Sequence, residues 1–232
     1  MKLLHLSEKF AYFIGIDPSW TGKNKSAVVI LKRSAKPKQD GKLLVHNFLY
    51  SSDINEIIDF IYPLRGSAII GIDAPLIIRN NNGHRRNELE FLRCYPLRVP
   101  LYPVNLSRYK VFLPVELYRL LNEIGFSFEN GNIYEVYPHA TLAAKFFGRL
   151  FSYKRGNNDE RLAKLSLIRQ KLTKYVEISS VHFKYVKEFE DYIDSVICAL
   201  TVYLTSVEDT MIFGNPSEGM LLAPYPESFN AR

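Results

Sequence analysis

The sequence predicts an α/β protein in which a mixed β-sheet is flanked by helices. Three apolar runs near the start of the chain, separated by short turns, predict three antiparallel strands. Later apolar runs alternate with segments whose apolar residues recur every three or four positions, which is the spacing of an amphipathic helix. Hairpin strands followed by strands alternating with helices are typical of a mixed sheet covered by helices.

The first four strands are predicted from continuous apolar runs. "YFIGID" (12–17) ends abruptly at an Asp-Pro pair, and "SAVVILKR" (26–33) follows it. "KLLVHNFLY" (42–50) pairs with that second strand across a turn at 34–41. "SAIIGID" (67–73) is the fourth strand, and it also ends in an Asp that is closely followed by Pro.

Helices fill most of the remaining chain. Between the third and fourth strands, isoleucines at i, i+3, i+4 and i+7 share one helix face, and Asp53 and Glu56 stand at capping-box spacing. The second half of the chain predicts helices over 114–125, 139–148, 159–174 and 188–206, a strand over 132–138 and a short closing strand within 217–224.

Residues 79–110 interrupt the alternation of strands and helices. Pro96, Pro100 and Pro103 exclude a continuous helix, and no regular pattern of apolar residues is left. We therefore predict a single domain over residues 1–232 with an irregular, basic insertion around 79–110.

The composition narrows the kind of protein further. The 232 residues are enough for one substantial core, and the net charge of +6 suits a polyanionic partner without requiring one. The two cysteines, Cys94 and Cys198, form no disulfide framework. No stretch reaches about 18 apolar residues, and the start of the chain lacks the pattern of a signal peptide. These features predict a soluble, cytoplasmic protein that does not enter a membrane.

Four aspartates stand where the predicted elements meet. Asp17 and Asp73 end two strands, and Asp191 and Asp194 lie three apart at the start of the last helix, where they share a face. In open α/β sheets, functional sites gather outside the carboxyl ends of the strands. A cluster of carboxylates repels itself, and Mg²⁺ or Mn²⁺ relieves that repulsion. One or two such ions activate a water molecule, which then attacks the phosphorus of a phosphodiester.

Each aspartate also has a simpler explanation. An Asp at a strand end is often a turn or N-cap residue, which applies to Asp17 and Asp73. Asp191 and Asp194 have the alternative explanation of N-terminal charges that the helix dipole favours. Three separate elements that each place acids at one end of the sheet favour the shared site.

The order of the elements and acids resembles the RNase H-like fold. "FIGIDPSWTG" with "EDYIDSVICAL" is similar to the RuvC-type Holliday-junction resolvases, whose first strand reads GIDPG and whose last helix carries D-x-x-D-A; here Ser195 replaces the Ala. "GIDAPL", "RRNELEFLR", "EVYPHA", "YKR", "DYIDSVICAL" and "EGMLLAP" resemble, in the same order, the predicted RNase H-like nucleases of domain of unknown function 429. This resemblance covers nearly the whole chain.

The resemblance implies a metal-dependent nuclease and a set of catalytic residues. Its presumed catalytic and metal-binding acids match Asp17, Asp73, Asp191 and Asp194. Glu135 matches a further motif acid, either as a fifth ligand or as an anchor behind the ligands. The first-helix glutamate of RNase H enzymes has no counterpart, because Glu56 lies nearer the helix start and is interpreted as a cap. This departure leaves one metal ion or two open.

A basic segment is the candidate surface for nucleic acid, either DNA or RNA. Residues 79–110 contain seven Arg or Lys against two Glu, with four aromatic residues among them. Guanidinium groups bind phosphates and aromatic faces stack on bases, although a solvated loop has the same composition. Arg85 and Arg86 are the predicted phosphate contacts. Lys154 is predicted to approach a phosphate or to balance the acids, and Trp20 to stack on a base or to pack its loop.

These features favour a metal-dependent nuclease. The alternatives are a nucleotide-binding phosphotransferase of the actin and sugar-kinase type, and a nucleic-acid-binding module without catalysis. "DPSWTG" is similar to the phosphate-binding turn of the kinases, but the chain has one set of strands and no Gly-Gly pair. His139, a lone histidine at a predicted helix start, is interpreted as structural.

Overall fold

A mixed sheet of nine strands forms the centre of the part of the chain that the computed structural model describes, namely residues 2–4, 9–34, 42–178 and 182–226. The strands are β1 (Lys2–Leu4), β2 (Tyr12–Asp17), β3 (Ser26–Arg33), β4 (Leu43–Ser51), β5 (Ala68–Ile72), β6 (Ile133–Val136), β7 (Val176–Glu177), β8 (Thr210–Asn215) and β9 (Gly219–Pro224). The helices are α1 (Ile54–Ile61), α2 (Arg86–Cys94), α3 (Leu113–Glu123), α4 (Pro138–Leu142), α5 (Asn158–Leu172) and α6 (Val186–Leu204). A 3₁₀ turn at Tyr62–Leu64 follows α1, and a π turn at Ala143–Phe147 extends α4.

The order of strands in the sheet is β1-β8-β9-β6-β5-β2-β3-β4-β7. β2, β3 and β4 are antiparallel neighbours, whereas β5, β6 and β9 continue the sheet parallel to β2 on its other side. This is the predicted RNase H-like arrangement, with three antiparallel strands followed by strands that alternate with helices. The fold class predicted from the sequence is confirmed.

Some elements differ from the sequence prediction. β8 was not predicted, because its large apolar residues, 211–213, are too few to show a periodicity. Arg86–Cys94 forms α2 inside the segment expected to be irregular, and this helix ends two residues before Pro96. The predicted turn at 34–41 lies, apart from residue 34, outside the described residues.

The central strands are buried on both faces, so their side chains alternate between two cores. On β2, Phe13 packs into a core with residues of α5 and α6. Ile14 and Ile16 point to the opposite face, where they pack with residues of α1 and α3. Phe91 of α2 and Tyr95, which follows α2, make edge-to-face contacts with Phe213 of β8. These contacts join the basic segment to the sheet.

α6 lies directly on the sheet, and two glycines make this close approach possible. Gly15 of β2 and Gly71 of β5 are paired neighbours. A Cβ on Gly15 would stand 2.4 Å from the Ala199 backbone nitrogen, and one on Gly71 would stand 2.6 Å from the Cys198 carbonyl oxygen. Every residue of α6 from 189 to 204 is buried. The absence of side chains at these two positions therefore sets how close α6 comes to the ends of β2 and β5.

Candidate active site

Two of the predicted acids lie side by side at the carboxyl end of the sheet. Asp17 is the last residue of β2, and Asp73 directly follows β5. β2 and β5 are parallel, with Ile16 beside Ile72, and the Asp73 amide donates a 2.9 Å hydrogen bond to the Ile16 carbonyl. The ladder between the two strands thus continues up to the point where both carboxylates emerge.

α6 brings the other two acids to the same place. Asp191 and Asp194 lie one turn apart on the helix, and both side chains are buried. Asp17, Asp73 and Asp191 line one cleft of about 300 Å³, and Asp194 is fully buried beside it. The structure therefore brings together four carboxylates from three separate elements.

The ammonium group of Lys154 lies among these carboxylates. Its Nζ is 2.7 Å from Asp194 Oδ2 and 3.9 Å from Asp73 Oδ2. The neighbouring Tyr153 is buried and donates a short hydrogen bond to Asp194 Oδ1. Burial disfavours the ammonium, but Asp194 and the adjacent groups still raise the Lys154 pKa well above its usual value, so the group stays charged. Of the two roles predicted for Lys154, the structure displays the one in which it balances the acids.

Asp191 has a different set of partners. Tyr50 donates a 3.1 Å hydrogen bond to Asp191 Oδ2, and Lys187, one turn earlier on α6, pairs with Oδ1. Glu190 pairs with Arg161, 2.8 Å away, and also with Lys187, 3.3 Å away. Because α6 begins at Val186, Asp191 lies beyond its first turn, where the helix dipole no longer favours negative charge. The dipole explanation considered for Asp191 and Asp194 is therefore wrong.

The electrostatics of the cleft favour added positive charge. Burial, followed by the charge of Asp194, raises the pKa of Asp17 well above its usual value. Burial also raises the pKa of Asp73 to about 7, although Lys154 opposes the shift. Burial is the main cause of both shifts, and the charge of Asp194 adds to each of them.

The donor chemistry of the cleft suits a hard divalent cation, because carboxylate oxygens are the ligands that Mg²⁺ and Mn²⁺ prefer. Among the described residues, no side chain donates a hydrogen bond to Asp17, and the Asp73 carboxylate has only its 3.9 Å contact with Lys154. Among the same residues, no group of three Asp, Glu, His or Cys side chains has the arrangement needed to bind a metal ion. The cleft therefore fits a divalent cation in the type of its donor atoms and in its charge. Asp17 and Asp73 are the acids whose oxygens accept no hydrogen bond from a described side chain.

Glu135 and Arg85 form a buried pair beside the cleft. Arg85 binds both carboxylate oxygens of Glu135, at 2.7 and 2.9 Å, and its Nε lies 2.9 Å from Glu88. The Leu76 amide and the Asn87 side chain also donate to Glu135. The structure thus places both residues in a satisfied network between α2 and β6. It does not bring Glu135 into contact with the four aspartates, nor does it leave the Arg85 guanidinium open to a phosphate.

The two remaining predicted substrate contacts are accessible. The Arg86 side chain is 82% exposed, and among the described residues it has one weak ion pair, to Glu218 at 3.4 Å. Trp20 lines the acidic cleft and also a second cavity next to it. Its ring makes edge contacts with Tyr109 and Phe112, and its Nε1 points to the Asp73 carbonyl at 3.5 Å.

Three site residues were not predicted from the sequence. Lys187 lies four positions before Asp191, a spacing that predicts an ion pair on a helix and was available as a signal. Tyr153 is part of the "YKR" motif, in which only the lysine was considered. Tyr50 ends a predicted strand far away in the sequence, and no local pattern connects it with Asp191.

Comparison with known proteins adds little to this geometry. No family model and no curated protein sequence matches the chain. Among solved structures, the chain is similar to that of Thermus thermophilus RuvC, with 13% identity over 83% of this chain and 94% of the other, and a TM-score of 0.38. Likeness at that level supports no inference about activity. No helix in the described part of the chain is long and apolar enough to cross a membrane.

Proposed function

We propose that this protein is a divalent-metal-dependent phosphodiester hydrolase that acts on nucleic acid, with Asp17, Asp73, Asp191 and Asp194 as its catalytic acids. The observation that carries this proposal is the charge of the cleft. Four carboxylates face the two ammonium groups that contact them, Lys154 and Lys187, which leaves a formal deficit equal to the charge of one Mg²⁺ ion. The pKa values of Asp17 and Asp73 are raised mainly by burial and further by the charges of the neighbouring acids.

The residues of the cleft have two roles, namely to bind the cation and to position the other carboxylates. Asp17 and Asp73 would hold the cation, which when bound lowers the pKa of a water and polarises the phosphodiester. Tyr153 and Lys154 fix the Asp194 carboxylate, and Lys187 does the same for Asp191. The attacking water gives up a proton to the solvent, and its oxygen forms the new bond to phosphorus. The bond to the leaving oxygen breaks, and that oxygen takes up a proton from the solvent.

Exposed cations beside the cleft supply the contact with the nucleic-acid backbone. Arg79 and Arg86 line a cavity of about 310 Å³ on the outer side of the Arg85 network. Lys25 lies on the rim of the acidic cleft itself. Because the Arg85 guanidinium is occupied by Glu135, we assign the predicted phosphate contact to Arg86 and Arg79.

One observation favours the non-catalytic alternative. The Lys154 ammonium already neutralises part of the cluster, and a nucleic-acid-binding module needs no more than that. The phosphotransferase alternative gains no such support, since the described residues form one sheet and the nucleotide of those enzymes lies between two lobes.

The test is hydrolysis of a labelled panel of single-stranded, duplex, hybrid and branched DNA and RNA in Mg²⁺ or Mn²⁺. We expect metal-dependent cleavage that falls to background in Asp17→Asn and Asp194→Asn. Asp59→Asn is the matched control, because Asp59 is an exposed acid on α1.

Cleavage that survives both active-site substitutions would rule out the acid cluster as the catalytic centre. Tight nucleic-acid binding with no cleavage of any substrate would instead establish the binding module.

A further inference from the structure

A second cavity, of about 230 Å³, adjoins the acidic cleft. Trp20, Asp73 and Lys154 line both spaces, so a ligand in the cavity would be continuous with one at the acids. The cavity has no part in the charge argument for hydrolysis. The charge of the cleft therefore does not determine which ligand the cavity binds.

The walls of this cavity are mainly apolar and aromatic. Besides Trp20, they include Leu101, Tyr102, Val104 and Tyr137. Tyr102 is 71% exposed and lies at the rim, whereas Val104 is buried in the wall. Aromatic rings around a small apolar space suit a planar, aromatic ligand, and a nucleic-acid base has this character.

A few polar groups are set into these walls. His139 lines the cavity, and its Nδ1 is buried with no hydrogen-bond partner among the described residues. Burial lowers the pKa of His139 to about 4, so the imidazole is neutral at physiological pH and offers a hydrogen bond without a charge. Arg85, Glu88 and Glu135 also reach the cavity, but they bind one another.

The size of the cavity limits its ligand. Pockets for drug-sized ligands begin at about 300 Å³. At about 230 Å³, this space accommodates one ring system rather than two stacked bases.

We infer that the cavity binds a single nucleobase, whose attached phosphate lies against Asp17, Asp73 and Lys154. The inference rests on the proposed function for the phosphate, and it adds a substrate class. The reacting nucleotide is unstacked, as in a single strand, at a strand end or in an extrahelical position, or it belongs to a small phosphodiester. A base held inside a duplex cannot enter the cavity.

Trp20 supplies a direct readout, because it is the only tryptophan in the chain and it lines the cavity. Its fluorescence can be titrated in Mg²⁺, the cation that would lie between the phosphate and Asp17 and Asp73. The strands are titrated with Asp194→Asn, so that they are not hydrolysed. The probes are the four common nucleoside monophosphates against ribose 5-phosphate, and a short single strand against the same strand with one central abasic site. We expect saturable quenching that requires the base.

Two variants test the location of the base. Leu101→Phe fills the cavity, and Tyr102→Ala removes the exposed ring at its rim; each should weaken base-dependent binding about tenfold. Tyr62→Ala is the control, since Tyr62 is another exposed tyrosine but precedes β5, at the end of the sheet opposite Asp73. Quenching by mononucleotides alone would assign the cavity to a small phosphodiester, and quenching by the strand would assign it to a polymer.

The inference is overturned if ribose 5-phosphate and the abasic strand quench as well as their base-containing counterparts. Wild-type affinity in both Leu101→Phe and Tyr102→Ala would overturn it as well. Base-dependent quenching without any hydrolysis would support the assignment of the cavity to a base and overturn the proposed nuclease activity. Efficient, Asp17-dependent cleavage at abasic sites would support the nuclease and overturn the assignment of the cavity to a base.

Discussion

Gly15 of β2 lies so close to Ser195 of α6 that a Cβ atom on Gly15 would stand 1.8 Å from the Ser195 carbonyl oxygen. The atom in the way belongs to the helix backbone and cannot rotate aside. This contact fixes the depth at which α6 lies on the sheet, and Asp194 is the residue just before Ser195. The spacing of the acidic cleft is thus set by the lack of a side chain on β2.

Gly15→Ala is expected to destabilise the protein by about 3 kcal/mol or more, at the upper end of overpacking, because α6 must move away from the sheet. Urea denaturation measures the change in the free energy of unfolding. Gly83→Ala is the control: Gly83 has a φ of 69° and no atoms near its added Cβ, so only backbone strain of about 1 kcal/mol is expected. Equal losses in the two variants would contradict the close contact.

Lys154→Met should destabilise the protein at pH 8 in EDTA by about 1–3 kcal/mol. Asp194 is fully buried and would lose its cation, although the partial exposure of Lys154 reduces the effect. Under the proposed function, millimolar Mg²⁺ should raise the melting temperature of this variant more than that of the wild type. Lys25→Met is the control, since Lys25 is an exposed lysine on the rim of the same cleft. An unchanged melting temperature for Lys154→Met would show that the ion pair is dispensable.

Glu135→Ala should cost about 3–5 kcal/mol, because it leaves the Arg85 guanidinium buried without its main partner. Glu218→Ala removes the exposed Arg86–Glu218 pair and should cost less than about 0.5 kcal/mol. Chemical denaturation compares the two. If Glu135 is instead a metal ligand, its variant will lose Mg²⁺-induced stabilisation as fully as Asp17→Asn does.

His139 should titrate well below an ordinary histidine, since burial lowers its pKa to about 4. Between about pH 6.5 and pH 4 the unfolded chain is protonated at this position and the folded chain is not, so stability falls as the pH is lowered through that window. NMR titration of the five histidines checks this, with His139→Gln to identify the signal. A midpoint near 6.5 for that signal would mean that the ring is solvated.

Arg86→Ala should weaken nucleic-acid binding and lower the slope of log affinity against log salt by about one. The reason is that the exposed guanidinium would otherwise displace a counterion from a phosphate. Arg119→Ala is the control, because this exposed arginine on α3 is already paired with Glu116 and Glu123. Identical salt slopes for the wild type and Arg86→Ala would remove Arg86 from the interface.

Local patterns in the sequence were sufficient for the framework of the protein. Continuous apolar runs that end in an acid predicted β2 and β5, together with the positions of Asp17 and Asp73. The helical period predicted that Asp191 and Asp194 share a face of α6. These inferences succeed because the period of a strand or helix, and the burial it implies, are properties of a few consecutive residues.

The partners of the charged side chains were decided only by the tertiary structure. Arg85 was predicted to face a phosphate, but it is bound to Glu135, fifty positions away in the sequence. Lys154 had two possible roles until the fold placed its ammonium 2.7 Å from Asp194. A charged group pairs with whatever opposite charge the fold brings within a few ångströms, and no local periodicity encodes that distance. The sequence therefore determined which acids reach the carboxyl end of the sheet, and the folded chain determined which cations meet them there.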